Sequence, residues 1–185
     1  MIEGGCVNGR VVALALTAVV TAPPAAEVAV VDDRGFVSEH ELHIAATPDR
    51  LFEALIDEVG AWWDPAHTYW GDSSRLTFEC GFLPALCEDS EDGEGFVRHM
   101  TVDSIRPGKS LVLSGGLGPL QPLGVAASMS FRLRAAEEGT RLDYRYIVNG
   151  RDLEQLAEPV DRVQGEQLAR LKRYVETGNP EPTSD

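Results

Sequence analysis

The stretch Phe36-Val-Ser-Glu-His-Glu-Leu-His-Ile-Ala-Ala46, followed by Thr47-Pro-Asp-Arg-Leu-Phe-Glu-Ala-Leu-Ile-Asp-Glu-Val-Gly-Ala-Trp-Trp63, decides the fold. Its first part alternates weakly, as a strand does. Thr47 then supplies an N-cap hydroxyl, and Pro48 takes the first helical position, where a missing N–H costs nothing. Leu51, Phe52, Leu55, Ile56 and Val59 form an apolar stripe, with Asp49, Arg50, Glu53, Asp57 and Glu58 opposite. Trp62 and Trp63 continue the stripe, and Asp64-Pro65 is expected to stop one continuous helix.

Working outward toward the C-terminus, His67 to Ser74 reads as a loop. Leu76, Phe78 and Cys80 alternate with polar residues and suggest a strand. Glu88–Glu94 reads as a solvated acidic turn, and Phe96–Ile105 as a strand with Phe96, Arg98, Met100 and Val102 on one face. After the Pro107-Gly108 turn comes a short strand, Ser110–Ser114, and then a glycine-rich loop, Gly115–Gly124, placed as a flexible rim or gate. The strongest strand signal follows. Ala127, Met129, Phe131 and Leu133, then Leu142, Tyr144, Tyr146 and Val148, are apolar on one face and polar on the other, joined through Gly139. A long helix ends the chain, with Val160, Val163, Gln164, Leu168, Leu171, Tyr174 and Val175 on one face and Gly178 as its stop. Pro159 allows a fresh start or a kink. Strand, helix, antiparallel strands and a long last helix exclude an alternating parallel α/β sheet. The last helix is the only element long enough to cover an antiparallel sheet.

Working outward toward the N-terminus, residues 27–35 form a poorly patterned lead-in. Residues 11–22 are an uncharged apolar run, too short for a relaxed bilayer span and of the length of an export-signal core. Residues 1–26 are therefore predicted to be a cleaved leader, giving a periplasmic or secreted protein. The alternatives are a start placed too early, which leaves the protein cytoplasmic, a buried apolar strand, and a membrane anchor. No stable membrane insertion of the mature chain is expected. The tail, 178–185, is expected to be disordered.

The chain has 185 residues, enough for one domain with a substantial core. Thirty acidic against 16 basic side chains, a formal charge of −14, argue against a nucleic-acid surface, which needs a cationic face. Of three cysteines, Cys80 and Cys87 flank a short turn and could pair in an exported protein. No metal site is read here. His40 and His43 fall on opposite strand faces, and a calcium loop begun at Asp89 would put Glu94 where glycine is needed. Gly108-Lys-Ser110 lacks the first glycine of a phosphate loop, since position 103 is Asp103. No serine sits in a nucleophile motif, so no catalytic residue and no cofactor is assigned.

Glu41-Leu-His-Ile-Ala-Ala-Thr-Pro-Asp-Arg-Leu-Phe-Glu-Ala-Leu55, the Trp62-Trp63 pair, the Met129–Arg134 and Leu142–Val148 hairpin, and the closing Gly165-Glu-Gln-Leu-Ala-Arg-Leu-Lys-Arg-Tyr174 resemble the SRPBCC, or START-like, superfamily. The resemblance spans residues 36–177 and is strongest to small bacterial relatives of the activator of the heat-shock-protein-90 ATPase. It implies an α+β helix-grip fold, a curved antiparallel sheet around the C-terminal helix, with small helices after the first strand. It also implies an apolar cavity between sheet and helix. On that basis the ligand-binding set is Trp62, Trp63, His67, Trp70, Met100, Met129, Phe131, Tyr144, Tyr146, Leu168 and Leu171, with Phe82, Phe96 and Val163 also drawn in. Taken singly, each of these reads first as a plain core residue. Tyr144, Tyr146 or His67 would orient a polar group. The implied function is binding of a small hydrophobic molecule. The alternatives are a protein-interaction module of the co-chaperone kind, and an enzyme of the polyketide cyclase or dehydrase kind. Fold alone does not choose among them.

Overall fold

The computed structural model describes Met1, residues 27–81 and residues 84–182. The expected leader and Phe82 therefore lie outside the described residues. Eight strands form one antiparallel sheet: β1 Glu27–Asp32, β2 Gly35–Ile44, β3 Leu76–Thr77, β4 Ala85–Asp89, β5 Phe96–Arg106, β6 Ser110–Ser114, β7 Ala126–Ala136 and β8 Gly139–Asn149. Their order is β1-β2-β8-β7-β6-β5-β4-β3. Three helices, α1 Pro48–Asp57, α2 Val59–Trp62 and α3 Glu154–Thr177, complete the described residues together with three short 3-10 turns. α3 packs against the sheet at β2 and β1. This is the helix-grip arrangement.

The β7–β8 hairpin follows its alternation. Met129 pairs with Tyr146, Phe131 with Tyr144 and Leu133 with Leu142, and all six are buried. The Phe131 and Tyr144 rings meet edge-on, 5.1 Å apart, the arrangement their quadrupoles favour. The lead-in of residues 27–35 is not irregular: Glu27–Asp32 is a strand that pairs with β2. The sheet thus begins ahead of the expected boundary at Phe36. Its weak patterning fits an edge strand, which needs only one neighbour.

The expected single helix from Pro48 to Trp63 is two. Thr47 caps it as expected, its Oγ1 accepting from the Arg50 amide at 3.3 Å. The chain then leaves helical geometry at Glu58 (φ −121°, ψ 22°). Two contacts accompany the break. Trp62 Nε1 donates to the Ala54 carbonyl at 2.8 Å, using an acceptor that a continuing helix would have claimed. Gly60 lies so close to the 3-10 turn Ser73–Arg75 that a Cβ there would sit 2.7 Å from the Ser73 carbonyl.

Strand β5 departs from simple alternation. Leu86 pairs with Met100 and Cys87 with Arg98, leaving His99 as an extra residue between them. Such a bulge turns two successive side chains to one face. His99 and Met100 are both buried, and Phe96 is exposed, so the face expected for Phe96, Arg98, Met100 and Val102 is broken. Only Leu76–Thr77 of the expected strand Leu76–Cys80 is strand. Cys80 and Cys87 are joined in a disulfide, Cα to Cα 6.2 Å.

The buried side of α3 is more polar than its apolar spacing suggested. Asp161, Gln164, Gln167 and Arg170, three apart in sequence, are all buried. Each has a fixed partner. Asp161 accepts from Ser38 and pairs with His40 at 3.0 Å. Gln164 accepts from Tyr144 at 2.8 Å, and Gln167 accepts from the Asp64 amide at 2.9 Å. Arg170 donates to the Trp62 carbonyl at 2.9 Å, which closes the end of α2. α3 runs unbroken through Pro159. Beyond α3, residues 178–182 turn back on the helix. Arg173 donates to the Pro180 carbonyl, and Arg170 pairs with Glu181. Residues 183–185 lie outside the described residues. Among the described residues no helix is long and apolar enough to cross a membrane.

Candidate functional site

A cleft of about 490 Å³ opens between the first half of α3 and two loop segments. Leu156, Pro159, Val160, Val163 and Gln164 of α3 form its floor, one stripe at helical spacing. One wall is Trp63, His67, Thr68 and Tyr69; the other is Leu117, Gly118, Pro119 and Pro122. His99 completes the lining. The volume falls within the range that small-molecule sites occupy, and the lining has their character, mostly apolar with a few polar groups.

The first wall is held from three directions. Asp64 caps the 3-10 turn Pro65–His67 by accepting from the Ala66 amide at 2.9 Å. Trp63 Nε1 donates to the His67 carbonyl at 3.1 Å. Glu88, fully buried, accepts the Tyr69 and Trp70 amides, one on each carboxylate oxygen, both at 2.9 Å. The second wall hangs from Tyr146, whose hydroxyl accepts the Leu117 amide at 3.0 Å and donates to the Gly115 carbonyl at 3.1 Å. A bridge joins the walls: Tyr69 Oη donates to Gln121 Oε1 at 3.0 Å, and Gln121 Nε2 donates to the Arg98 carbonyl at 2.7 Å.

Glu88 is the residue that the acidic-turn reading misplaced. It belongs to β4, not to a solvated turn, and its carboxylate is also 3.1 Å from His99 Nε2. Burial holds the His99 pKa below the usual histidine value, with Glu88 acting against that shift. The imidazole is therefore neutral near pH 7. Because the Glu88 carboxylate only accepts, Nε2 carries the proton and Nδ1 keeps its lone pair. Nδ1 is buried and, among the described residues, has no hydrogen-bond partner. Burial also raises Tyr144 well above the tyrosine range and pushes Tyr146 up to about 12, so both hydroxyls stay protonated.

Of the set drawn from the sequence, Trp63 and His67 line the cleft. Trp62 is buried beside it, tied to α1. Trp70 is exposed, its ring 6.1 Å from that of Tyr69. Met100, Met129, Phe131, Leu168 and Leu171 pack in the core. Tyr144 and Tyr146 are core residues whose hydroxyls hold Gln164 and the second wall in place. Val163, also drawn in, is on the floor, and Phe96 lies exposed on β5. Sequence reasoning missed Tyr69, His99 and the Glu88 beneath them. The glycine-rich segment expected as a rim provides the second wall.

The family model described as Activator of Hsp90 ATPase homolog 1-like protein matches residues 45–176. The chain belongs to that family. No curated protein matches it. Among solved structures it is similar to DynU16, a protein of the dynemicin biosynthetic locus, at 23% identity and TM-score 0.57, over 80% of this chain and 49% of that one. This member of the family thus spans about half the length of DynU16. It is also similar to the Aha1 dimer from Colwellia psychrerythraea, at 19% identity and TM-score 0.56, over 77% and 97% of the two chains. A third likeness is EF2215 from Enterococcus faecalis, a conserved protein of unknown function, at 18% identity and TM-score 0.55, over 80% and 77%. At these identities the likeness is one of fold.

Proposed function

We propose that the protein binds a small hydrophobic molecule in the cleft between α3, the Trp63–Tyr69 segment and the Leu117–Pro122 segment. The observation that carries this reading is the cleft itself. Its floor is a largely apolar helical stripe in which Leu156 and Val163 are half-buried and Pro159 is exposed. Covering that stripe releases about 25 cal/mol for each Å² of apolar surface removed from water. The walls are held by hydrogen bonds, so little ordering is needed when a molecule enters.

Native mass spectrometry of the protein purified from its own host tests the reading. The expected result is a retained apolar mass that is lost in Val163→Trp, which fills the floor. An empty wild-type protein with no site for a hydrophobic dye sinks it. In that case a co-chaperone-like use of the outer surface, favoured by the family's description, takes its place. We also propose export, on the strength of the apolar run 11–22. N-terminal sequencing of the mature chain tests it, and an intact Met1 overturns it. An exported protein does not meet a cytosolic chaperone, so this second measurement also bears on the choice.

A further inference from the structure

Among the polar residues that line the cleft, His99 has a specific arrangement. The β5 bulge turns this side chain inward beside Met100 instead of letting it alternate outward. Its side chain is 5% exposed, yet it contributes to the cleft lining. Glu88 holds Nε2, which commits the ring to one tautomer and leaves Nδ1 as an acceptor. That acceptor is unpartnered among the described residues. The Tyr69 ring lies 5.7 Å from the His99 ring, tilted by 55°, and the Tyr69 hydroxyl is already engaged with Gln121. A buried acceptor without a donor is costly, and a donor brought by a ligand removes that cost.

Building on the ligand-binding reading above, we infer that the molecule held in the cleft is an apolar alcohol or phenol whose hydroxyl donates to Nδ1 of His99. An ether or a methylated analogue offers no donor and leaves Nδ1 unpaired. A carboxylate offers none either, and places a second negative charge close to Glu88. Site and ligand class follow one rule: a site built to accept a hydroxyl proton rejects the analogue that lacks it more strongly than an apolar pocket rejects an extra methylene.

Calorimetric titration of the full chain with 1-naphthol and with 1-methoxynaphthalene tests the inference. The expected result is naphthol binding tighter by roughly tenfold, the worth of one hydrogen bond in a dry site, with the preference abolished in His99→Phe. Should that variant fail to fold, nitrogen NMR of the wild-type imidazole decides. The Nδ1 resonance is expected to move on adding naphthol and to stay in place with the methyl ether. Equal binding of the two probes, or an unmoved Nδ1, overturns the inference and leaves the cleft reading standing. Binding of neither overturns both.

Discussion

His99 Nε2 lies 3.1 Å from Glu88 Oε2, and the two side chains are 5% and 0% exposed. Both residues sit on neighbouring strands, yet the pair governs a loop. The same carboxylate fastens the amides of Tyr69 and Trp70, so one buried charge joins the sheet to the first wall of the cleft. Its three donors replace the water it gave up on folding, which is the condition for a buried carboxylate to be tolerated.

Glu88→Ala leaves two backbone amides and an imidazole without their acceptor. A loss of about 3 kcal/mol in stability is expected, read from urea unfolding. Amide hydrogen exchange at Tyr69 and Trp70 is expected to accelerate more than exchange in β7 or β8. Uniform acceleration across the sheet counts against a local anchoring role.

Acid acts through His99. In an unfolded chain an imidazole gains its proton near pH 6.5; in the folded protein burial lowers that value, against the pull of Glu88. Between the two values the unfolded chain binds more protons. The contribution is therefore complete above about pH 6.5 and declines as pH falls toward the folded value. His99→Gln keeps a donor for Glu88 and does not titrate. Its unfolding midpoint is expected to vary less with pH than the wild type's over about pH 5 to 8.

Asp161 tethers α3 to β2 through Ser38 and His40. Asp161→Ala leaves both partners buried without it, and a cost of about 2–4 kcal/mol is expected. The double variant Ser38→Ala/Asp161→Ala is expected to cost less than the two single changes added together, because they remove one shared network. Simple additivity contradicts this.

Gly139→Ala is expected to be far more damaging than Gly178→Ala, judged by the thermal midpoint. Both glycines have positive φ, +116° and +78°. A Cβ at 139 would lie 2.2 Å from the Ile44 carbonyl, whereas nothing lies within 4 Å at 178. The second change carries only the left-handed backbone cost of about 1 kcal/mol.

Reduction of Cys80–Cys87 opens a short loop at the edge of the sheet. The chain-entropy argument assigns a loop of this size about 2 kcal/mol, read as the difference in urea unfolding with and without reductant. The cleft, which contains neither cysteine, is expected to keep its ligand affinity.

Elements set by neighbours in sequence were legible from the residues alone. Thr47-Pro48 started α1 as read, Gly178 ended α3, and the period-two alternation of Met129–Leu133 and Leu142–Val148 gave a hairpin whose inward side chains are those expected. Caps, turns and alternation act over a few residues, so the local sequence carries them. Combined with the order of the elements, they were enough for the helix-grip fold.

The site needed partners far apart in the chain. Nothing near Glu88 distinguishes it from the acids around it; it is buried because β4 runs beside His99 and beneath Tyr69. Nothing near His99 announces the bulge, which shows only in the register of β4 against β5. Asp161, Gln167 and Arg170 stand outside the apolar face read from the sequence, and only the fold brings Ser38, His40, Asp64 and Trp62 to them. Local patterning therefore determined which elements form and in what order. Tertiary packing decided which polar groups are buried and paired, because burial and hydrogen-bond partnership depend on residues that only the fold brings together.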